Sequence, residues 1–231
     1  MHRIAFYDLD RTVTRLPTWS AFLLFGALSG PRWRLALVPG VAGAALAHAL
    51  RLVGRDRLKE VMHRLMLGET VAAEQLAALA ERFADRTLDR NIRPGARRRI
   101  AADRAEGYRV VLATAAHRFY AEELAQRLSI ADVIATESTL DADGAVRHRL
   151  AGANVYGPAK LAAIKAWMIA AGIDRDMARL RFYSDHASDA PCLLFVDEPF
   201  AVNPGRRMRT LAAARGWPIL DWQRPVAPVN G

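Results

Sequence analysis

Ile4-Ala5-Phe6-Tyr7-Asp8-Leu9-Asp10-Arg11-Thr12-Val13-Thr14 is an apolar run that ends in two carboxylates. Side chains alternate along a strand, so Asp8 and Asp10 share one face if the strand continues, and both stand at its carboxyl end if it turns. Open α/β sheets place their ligands at that end. Clustered carboxylates repel each other without a cation or a shared proton, and Mg²⁺ prefers oxygen ligands. For so short a pattern, the alternative is a strand that ends in an Asp-rich turn.

Three later segments carry short polar groups where the same chemistry needs them. Residues 110–116 are a second apolar run with a hydroxyl near its end. Residues 157–160 place a lysine in the first turn of a predicted helix, which a proline at the first helical position favours. Residues 180–189 are another strand end with carboxylates. The polar side chains that these segments contribute are those of Thr114, Lys160, Asp185 and Asp189.

In this order, the four segments resemble the four motifs of the haloacid dehalogenase superfamily of phosphotransferases. The match is closest to its phosphoserine-phosphatase-like subfamily, subfamily IB, which includes a bacterial phosphatidylglycerophosphate phosphatase. Residues 150–157 and 197–204 are also similar to that subfamily, and the resemblance covers about residues 3–14 and 93–204. It implies an α/β fold: a Rossmann-like core with a mostly parallel sheet, and an inserted all-helical cap of the C1 type.

The pattern along the chain agrees with such an insertion. From Pro17 to about Asn91 it is helical with no clear strand signal, and Thr70 is expected to cap the last helix. After residue 92 strands alternate with helices, and a hairpin turns at residues 141–144, which predicts a mostly parallel sheet covered on both faces. The helices predicted in the inserted part span residues 17–29, 31–52, 56–67 and 70–90. We expect a catalytic core of residues 1–14 and 92–231, a cap of residues 15–91, and an irregular tail from residue 222.

The resemblance implies a phosphatase that hydrolyses a phosphate monoester through an aspartyl-phosphate. Asp8 would be the nucleophile. Asp10 would protonate the departing alkoxide and then deprotonate the attacking water. Thr114 would hydrogen-bond a phosphoryl oxygen, unless its hydroxyl is an ordinary helix cap. Lys160 would neutralise charge on the phosphoryl group and on the nucleophile.

The implied cofactor is Mg²⁺. The Asp8 side chain, the Asp10 backbone carbonyl and Asp185 would ligate it, and Asp189 would hold a metal-bound water or orient Lys160. The roles of three further residues stay open. Arg11 stands where the family carries a small residue and either reaches the phosphate or points to solvent, and His117 and His186 lie beside motifs and are candidates for substrate contact.

Composition places limits on partners and location. The single cysteine, Cys192, cannot form an intramolecular disulfide, and no signal peptide is visible, so we expect a cytoplasmic protein. The net charge of +9 suits a small phosphorylated substrate or anionic lipid. No nucleic-acid motif accompanies the arginines, so a specific nucleic-acid partner is not expected. The sequence leaves the oligomeric state undetermined.

Residues 35–50 contain no Asp, Glu, Lys or Arg. Buried cap helices are the first expectation for this run. An interfacial segment that rests on anionic lipid, giving peripheral contact at the inner face of the membrane, is the second. A transmembrane helix is the third, because the run is at the short limit for a span.

The cap usually sets substrate choice in this superfamily. Phosphoserine phosphatases carry a glutamate shortly after the first motif to hold the substrate ammonium, but residues 16–22 contain no carboxylate. We therefore favour an anionic phosphomonoester, including a phospholipid head group, over phosphoserine. Two further functions stay open: a phosphotransferase, and a catalytically silent protein that binds membrane or nucleic acid. The intact set of motif residues argues against the silent protein.

Overall fold

A six-stranded parallel sheet forms the centre of the molecule in the computed structural model, which describes residues 1–223. The strands are β1 (His2–Tyr7), β2 (Thr70–Val71), β3 (Arg109–His117), β4 (Asp132–Thr136), β5 (Ser138–Leu140), β6 (Val146–Leu150), β7 (Ala178–Ser184), β8 (Glu198–Val202) and β9 (Ile219–Leu220). The helices are α1 (Thr18–Ser29), α2 (Val38–Ala49), α3 (Arg55–Met66), α4 (Ala73–Arg90), α5 (Pro94–Ala105), α6 (Arg118–Arg127), α7 (Pro158–Ala170), α8 (Ala190–Phe195) and α9 (Arg206–Arg215).

The order of strands in the central sheet is β4-β3-β1-β7-β8-β9, and each neighbouring pair is parallel. Strand β1 lies in the middle and is buried on both faces. Ile4 and Phe6 pack into one hydrophobic cluster, and Ala5 and Tyr7 pack into the other. A strand covered on both sides needs apolar residues at every position, which accounts for the continuous apolar run. The predicted α/β fold with a mostly parallel sheet is confirmed.

The sheet brings the predicted motifs to one edge. Asp8 follows β1, Thr114 lies near the end of β3, and Asp185 follows β7. Strands β3 and β7 flank β1 directly, so their carboxyl ends lie side by side. The amide of Asp8 still bonds to the carbonyl of Tyr183 at 3.0 Å, so the nucleophile candidate is anchored to the end of the sheet.

The predicted cap, residues 15–91, leaves and re-enters the rest of the chain at one place. We call it the cap segment. Thr14 and Ile92 form an antiparallel bridge, and the Arg15 amide donates to the Asn91 carbonyl at 2.7 Å. The helices predicted at 17–29 and 56–67 are present as α1 and α3 with small shifts of their ends.

Two predictions in the cap segment are wrong in detail. The helix predicted at 31–52 is divided into a short 3-10 helix, Arg32–Leu37, and α2, because Pro39 lacks an N–H and fits only the first turn of a helix. The segment is not all-helical, since Thr70 and Val71 form β2, paired with Arg147 and Val146 of β6, and α4 begins at Ala73 rather than at Thr70.

The expectation that residues 35–50 are buried is also wrong. None of the residues of α2, all within the described part, is buried, and the helix packs on α3 and on the 3-10 helix Arg32–Leu37. Across residues 1–223, no helix is both long enough and apolar enough to cross a bilayer.

A second sheet joins the cap segment to the core. Strands β5 and β6 form the predicted hairpin around residues 141–144, and β2 adds to β6 to give a three-stranded antiparallel sheet. The predicted irregular tail is wrong at its start. Trp222 is buried, packs against Tyr7 and Tyr183, and accepts a hydrogen bond from the Gly95 amide. The rest of that prediction, residues 224–231, lies outside the described residues.

Candidate active site

A cavity of about 370 Å³ opens at the carboxyl ends of the strands. All the predicted site residues line it: Asp8, Asp10, Thr114, Lys160, Asp185 and Asp189. They come from four separate stretches of the chain, and the parallel sheet brings them together. The cap segment contributes Pro17 and Arg55 to the same wall, so the cavity lies between the core and the cap segment.

Lys160 is a buried cation between two buried carboxylates. Its Nζ donates to Oδ1 of Asp8 at 2.7 Å and to Oδ2 of Asp189 at 2.8 Å. Burial alone would lower the pKa of Lys160, but the carboxylates of Asp189 and Asp8 outweigh it and raise the pKa. The lysine is therefore a fixed positive charge. It enters at the first turn of α7 after Gly157, whose φ of 58° lies in the left-handed region that favours glycine.

Asp8 and Asp185 converge on the same hydroxyl group. The Thr12 hydroxyl donates to Oδ2 of Asp8 at 3.0 Å and lies 3.3 Å from Oδ1 of Asp185, while it accepts from the Asp185 amide. One hydroxyl proton cannot satisfy both carboxylates. Burial raises the pKa of Asp8 to about 7, with Asp189 and Asp185 adding to the effect and Lys160 opposing it. Burial, then Asp189, raises the pKa of Asp185 to about 6.

This crowding of negative charge fits a hard divalent cation. Among the described residues, no three side chains of His, Cys, Asp or Glu form a ready ligand group. An ion here would rely on the carboxylates of Asp8 and Asp185, completed by main-chain oxygen and water, which is a common arrangement for Mg²⁺. One oxygen of Asp189, Oδ2, accepts from Lys160 at 2.8 Å and from the Ser184 hydroxyl at 2.7 Å, whereas its Oδ1 is buried and has no hydrogen-bond partner among residues 1–223. Oδ2 suits orientation of Lys160 and Oδ1 suits a metal-bound water, so both predicted roles stay predictions.

The carboxylate of Asp10 is also held by other partners. Its Oδ1 accepts two hydrogen bonds at 2.7 Å, from the amide and from the hydroxyl of Thr18, the first residue of α1. Burial raises the pKa of Asp10, although the two bonds from Thr18 oppose the shift. A raised pKa is what a carboxyl group needs to donate a proton near neutral pH.

Thr114 is buried at the edge of the cavity. Its hydroxyl accepts from the Ala116 amide at 3.0 Å. Helix α6 begins only at Arg118, after a strand that continues to His117, so Thr114 is not a helix cap. The capping role that the sequence allows for this hydroxyl is therefore excluded, and a role at the cavity remains.

A sequence model of the family described as haloacid dehalogenase-like hydrolase matches residues 5–194, which include all six site residues. The chain belongs to the haloacid dehalogenase-like hydrolase family. Two relatives illustrate the range of names in this hydrolase family. One, from Streptomyces azureus, is called "Inhibition of morphological differentiation protein"; it is 32% identical over 96% of this chain and 79% of its own length. The other, "Phosphoserine phosphatase SerB1" from Mycobacterium tuberculosis, is 30% identical over 95% of this chain and 70% of its own length.

Solved structures share the fold of this haloacid dehalogenase-like hydrolase. A protein of unknown function from Bordetella pertussis Tohama I superposes with a TM-score of 0.85 at 24% identity, over 96% of this chain and 99% of that one. A phosphoserine phosphatase solved as a phospho-aspartyl intermediate analogue gives a TM-score of 0.63 at 12% identity, over 96% of this chain and 94% of its own. The match to phosphoserine-phosphatase-like proteins is thus confirmed at the level of the fold, and the relation to a phosphatidylglycerophosphate phosphatase stays a prediction.

Three residues with open roles are placed differently in this hydrolase. Arg11 is exposed at the cavity with a φ of 64°, and His186 lines the cavity with its Nδ1 2.8 Å from the Ser188 hydroxyl. His117 is fully buried outside the cavity lining, where its ring centroid lies 4.4 Å from that of Trp19, with the rings tilted, and its Nδ1 lies 3.1 Å from the Ser138 hydroxyl. A substrate contact stays open for Arg11 and His186 and is not supported for His117.

Sequence reasoning did not single out Lys59, a residue of α3. Its Nζ is buried and donates to the Ala115 carbonyl and, at 3.1 Å, to Oδ1 of Asn154. Burial lowers the pKa of Lys59 to about 7, and the charge of Asp10 opposes the shift. Lys59 thus connects α3 of the cap segment to the residue after Thr114. The one available signal is that residues 150–157, which include Asn154, are similar to the subfamily.

Arg55 and Tyr156 were also not singled out as site residues. The guanidinium of Arg55 lies 3.9 Å from the ring centroid of Tyr156, and both side chains line the cavity. This cation–π contact joins the start of α3 to the loop before α7. It places a cap-segment cation beside the carboxylate cluster of the core.

Proposed function

We propose that this chain is a Mg²⁺-dependent phosphatase that hydrolyses a phosphate monoester through an aspartyl-phosphate on Asp8. The observation that carries the proposal is the setting of Asp8. One of its oxygens is held by Lys160 and the other lies in the crowded space near Asp185, in a cavity that also contains Asp10 and Thr114. A candidate nucleophile, a candidate proton donor and a fixed cation therefore line one cavity, which supports the proposal.

In the first step, a carboxylate oxygen of Asp8 forms a bond to phosphorus while the bond from phosphorus to the ester oxygen breaks. Asp10 gives its proton to the departing oxygen, for which its raised pKa is suited. Lys160 offsets negative charge on the transferring group, and the Thr114 hydroxyl donates to a phosphoryl oxygen.

In the second step, water attacks the phosphorus of the aspartyl-phosphate and loses a proton to Asp10. The bond between phosphorus and the Asp8 oxygen breaks, which releases inorganic phosphate and restores both carboxyl groups. When bound, Mg²⁺ supplies positive charge that aligns and stabilises the phosphoryl group. Asp8, Asp185 and the Asp10 carbonyl would hold the ion, because the crowded carboxylates at this position favour a cation.

The substrate is proposed to be anionic beyond its phosphoryl group. In the described part of the chain, the cap segment lines the cavity with Arg55 and Pro17 and with no carboxylate. An ammonium group on the substrate would need such a carboxylate to leave water. An anionic phosphomonoester, including a phospholipid head group, meets Arg55 instead.

Phosphoserine is the second candidate substrate. It is favoured by the relative from Mycobacterium tuberculosis that is named a phosphoserine phosphatase and is 30% identical over nearly the whole chain. The carboxylate of phosphoserine would suit Arg55, but its ammonium has no cap-segment partner among the cavity residues. The two candidate substrates therefore differ in one respect: phosphoserine carries an ammonium group that the cavity would have to accept, and the anionic phosphomonoester does not.

The test is Mg²⁺-dependent release of inorganic phosphate by the wild type, by Asp8→Asn and by the control Asp176→Asn, which alters an exposed aspartate far along the chain. The substrates are an aryl phosphate, phosphoserine, sugar phosphates, nucleotides and phosphatidylglycerophosphate. We expect the wild type and the control to release phosphate, and no release without Mg²⁺. Release by Asp8→Asn should be lower by roughly a thousandfold or more, which is the loss expected when a catalytic nucleophile is removed. Equal release by Asp8→Asn would exclude the covalent route. No release from any substrate would favour a binding protein or a phosphotransferase that lacks its acceptor.

A further inference from the structure

Helix α2 has an apolar surface on the side that faces solvent. Apart from His48, its sequence consists of Val, Pro, Gly, Ala and Leu. Val41, Ala44 and Ala47 are half-buried and recur at helical spacing, so they mark the side that faces the molecule. The exposed positions are Val38, Pro39, Gly40, Ala42, Gly43, Ala45, Leu46 and Ala49. A helix on the surface of a soluble domain normally presents polar residues there.

Large apolar side chains extend this surface beyond the end of α2. Leu46 is 61% exposed, Leu50 is 62% exposed and Leu52 is 75% exposed. Exposed leucines that occur singly need no explanation, but contiguous ones mark a place where another apolar phase is met. We call the exposed side of α2 together with Leu50 and Leu52 the α2 surface.

Basic residues border the α2 surface, and acidic residues are absent from it. Between Asp10 and Asp56 the sequence contains no Asp or Glu. Arg32 precedes α2 and Arg51 follows it; both are exposed, and neither guanidinium makes an ion pair or hydrogen bond with any residue in 1–223. Arginine that lacks a protein partner at the rim of an apolar face is complementary to an anionic surface.

We propose that the α2 surface binds the surface of an anionic lipid bilayer. The helix would lie in the plane of the interface, with its apolar side about 5–10 Å deep at the boundary of head groups and acyl chains. Arg32 and Arg51 would contact lipid phosphates. A second copy of the chain fits less well, because pairing two α2 surfaces would bring like-charged arginine rims together.

The position of this surface relates it to the cavity. Leu52 and Arg55 are three residues apart, so their Cα atoms lie at most about 11 Å from each other, and Arg55 lines the cavity. A molecule bound through α2 therefore holds the cavity close to the lipid head groups. The proposal does not depend on the phosphatase activity, because membrane binding is measured without a substrate.

The test is co-sedimentation with vesicles of phosphatidylcholine alone or of phosphatidylcholine mixed with phosphatidylglycerol. We expect the wild type to sediment with the mixed vesicles only, and less so at high salt because exposed charges are screened. Leu46→Gln/Leu50→Gln should reduce the partition coefficient by at least about tenfold, since two leucines no longer leave water. Arg32→Gln/Arg51→Gln should reduce it by about tenfold.

The matched control is Leu140→Gln/Ile169→Gln, which changes two exposed apolar residues outside the cap segment and should bind as the wild type does. Equal loss in the control, or wild-type binding by Leu46→Gln/Leu50→Gln, overturns the proposal. The proposal is also overturned if sedimentation velocity without lipid shows a dimer of the wild type and Leu46→Gln/Leu50→Gln dissociates that dimer. Leu46→Trp keeps the site apolar if the polar variants fail to fold. Its added fluorescence should be quenched by brominated lipid in mixed vesicles, and an unquenched signal excludes insertion.

Discussion

Thr18 donates both its backbone N–H and its hydroxyl to Oδ1 of Asp10, each at 2.7 Å. Asp10 lies in the turn after the central strand, and Thr18 is the first residue of the first helix of the cap segment. The Thr18 hydroxyl also lies 3.1 Å from the hydroxyl of Tyr120. The proposed general acid is therefore positioned by the cap segment as well as by the core.

Replacing Thr18 with valine should change the pH dependence of catalysis. The hydroxyl bond lowers the pKa of Asp10 by stabilising its charged form, against the larger effect of burial, so Thr18→Val should raise that pKa. The acid then stays protonated to higher pH, and the basic limb of the kcat/KM profile should move to higher pH. Thr210→Val, which removes an exposed hydroxyl bond in α9, is the control. An unmoved limb would mean that another group is the acid.

Replacing Lys160 with methionine should destabilise the fold in a pH-dependent way. Breaking a buried ion pair costs about 3 kcal/mol of the free energy of unfolding. The pKa of Asp8, already raised to about 7 by burial, should rise further without the lysine. The folded variant then binds more protons than the unfolded chain as pH falls, so protonation relieves part of the cost.

Urea unfolding of Lys160→Met without Mg²⁺ tests this at about pH 8 and about pH 5. We expect the larger loss of stability at the higher pH. Lys165→Met removes an exposed lysine from the same helix and should show little loss at either pH. A loss that is equal at both values would contradict a role for Asp8 protonation.

Lys59 should make stability increase with pH in the alkaline range. Burial lowers its pKa to about 7 in the folded protein, whereas an unfolded lysine titrates near 10.4. Between these values the unfolded chain binds more protons, so the contribution of Lys59 to stability rises with pH, by at most about 1.4 kcal/mol per pH unit. The contribution is lost as pH falls through about 7.

The measurement is the free energy of unfolding of the wild type minus that of Lys59→Met, from about pH 7 to about pH 10. The contributions of other titrating groups largely cancel in this difference. The difference in the free energy of unfolding should therefore rise with pH. Lys165→Met, which removes an exposed lysine, is the control. A flat difference for Lys59→Met would show that the ammonium is hydrated in the folded state.

The central sheet and the grouping of the six candidate residues at one cavity could be predicted because their signals are local. Each motif is an apolar run or helix start with a polar residue at its end, and a parallel sheet brings such ends together whatever lies between them. Asp8 and Asp185 are far apart in sequence, yet their positions follow from β1 and β7 being neighbours. The insertion did not disturb this prediction, since it leaves and re-enters at one place.

The cap segment was harder to predict, because its features depend on distant partners. Thr70 and Val71 form a strand only because β6 lies beside them, and two residues carry no periodicity of their own. Lys59 belongs to a helix rich in charged residues, and nothing in that helix distinguishes it from its neighbours until Ala115 and Asn154 accept from it. The apolar composition of α2 predicted burial wrongly, because the burial of a helix depends on which other elements pack on it, and no residue of α2 is buried.

The strand pairing between the cap segment and the hairpin has a consequence for protein engineering and for evolution. Residues 138–150 belong to the core in sequence, but they share a sheet with Thr70 and Val71. The His148 amide also donates to the Glu69 carbonyl at 3.0 Å. A chimera that transplanted residues 15–91 alone from a relative would separate these partners. The transferable unit is the insertion together with its hairpin, and substitutions on the two sides should therefore covary between relatives.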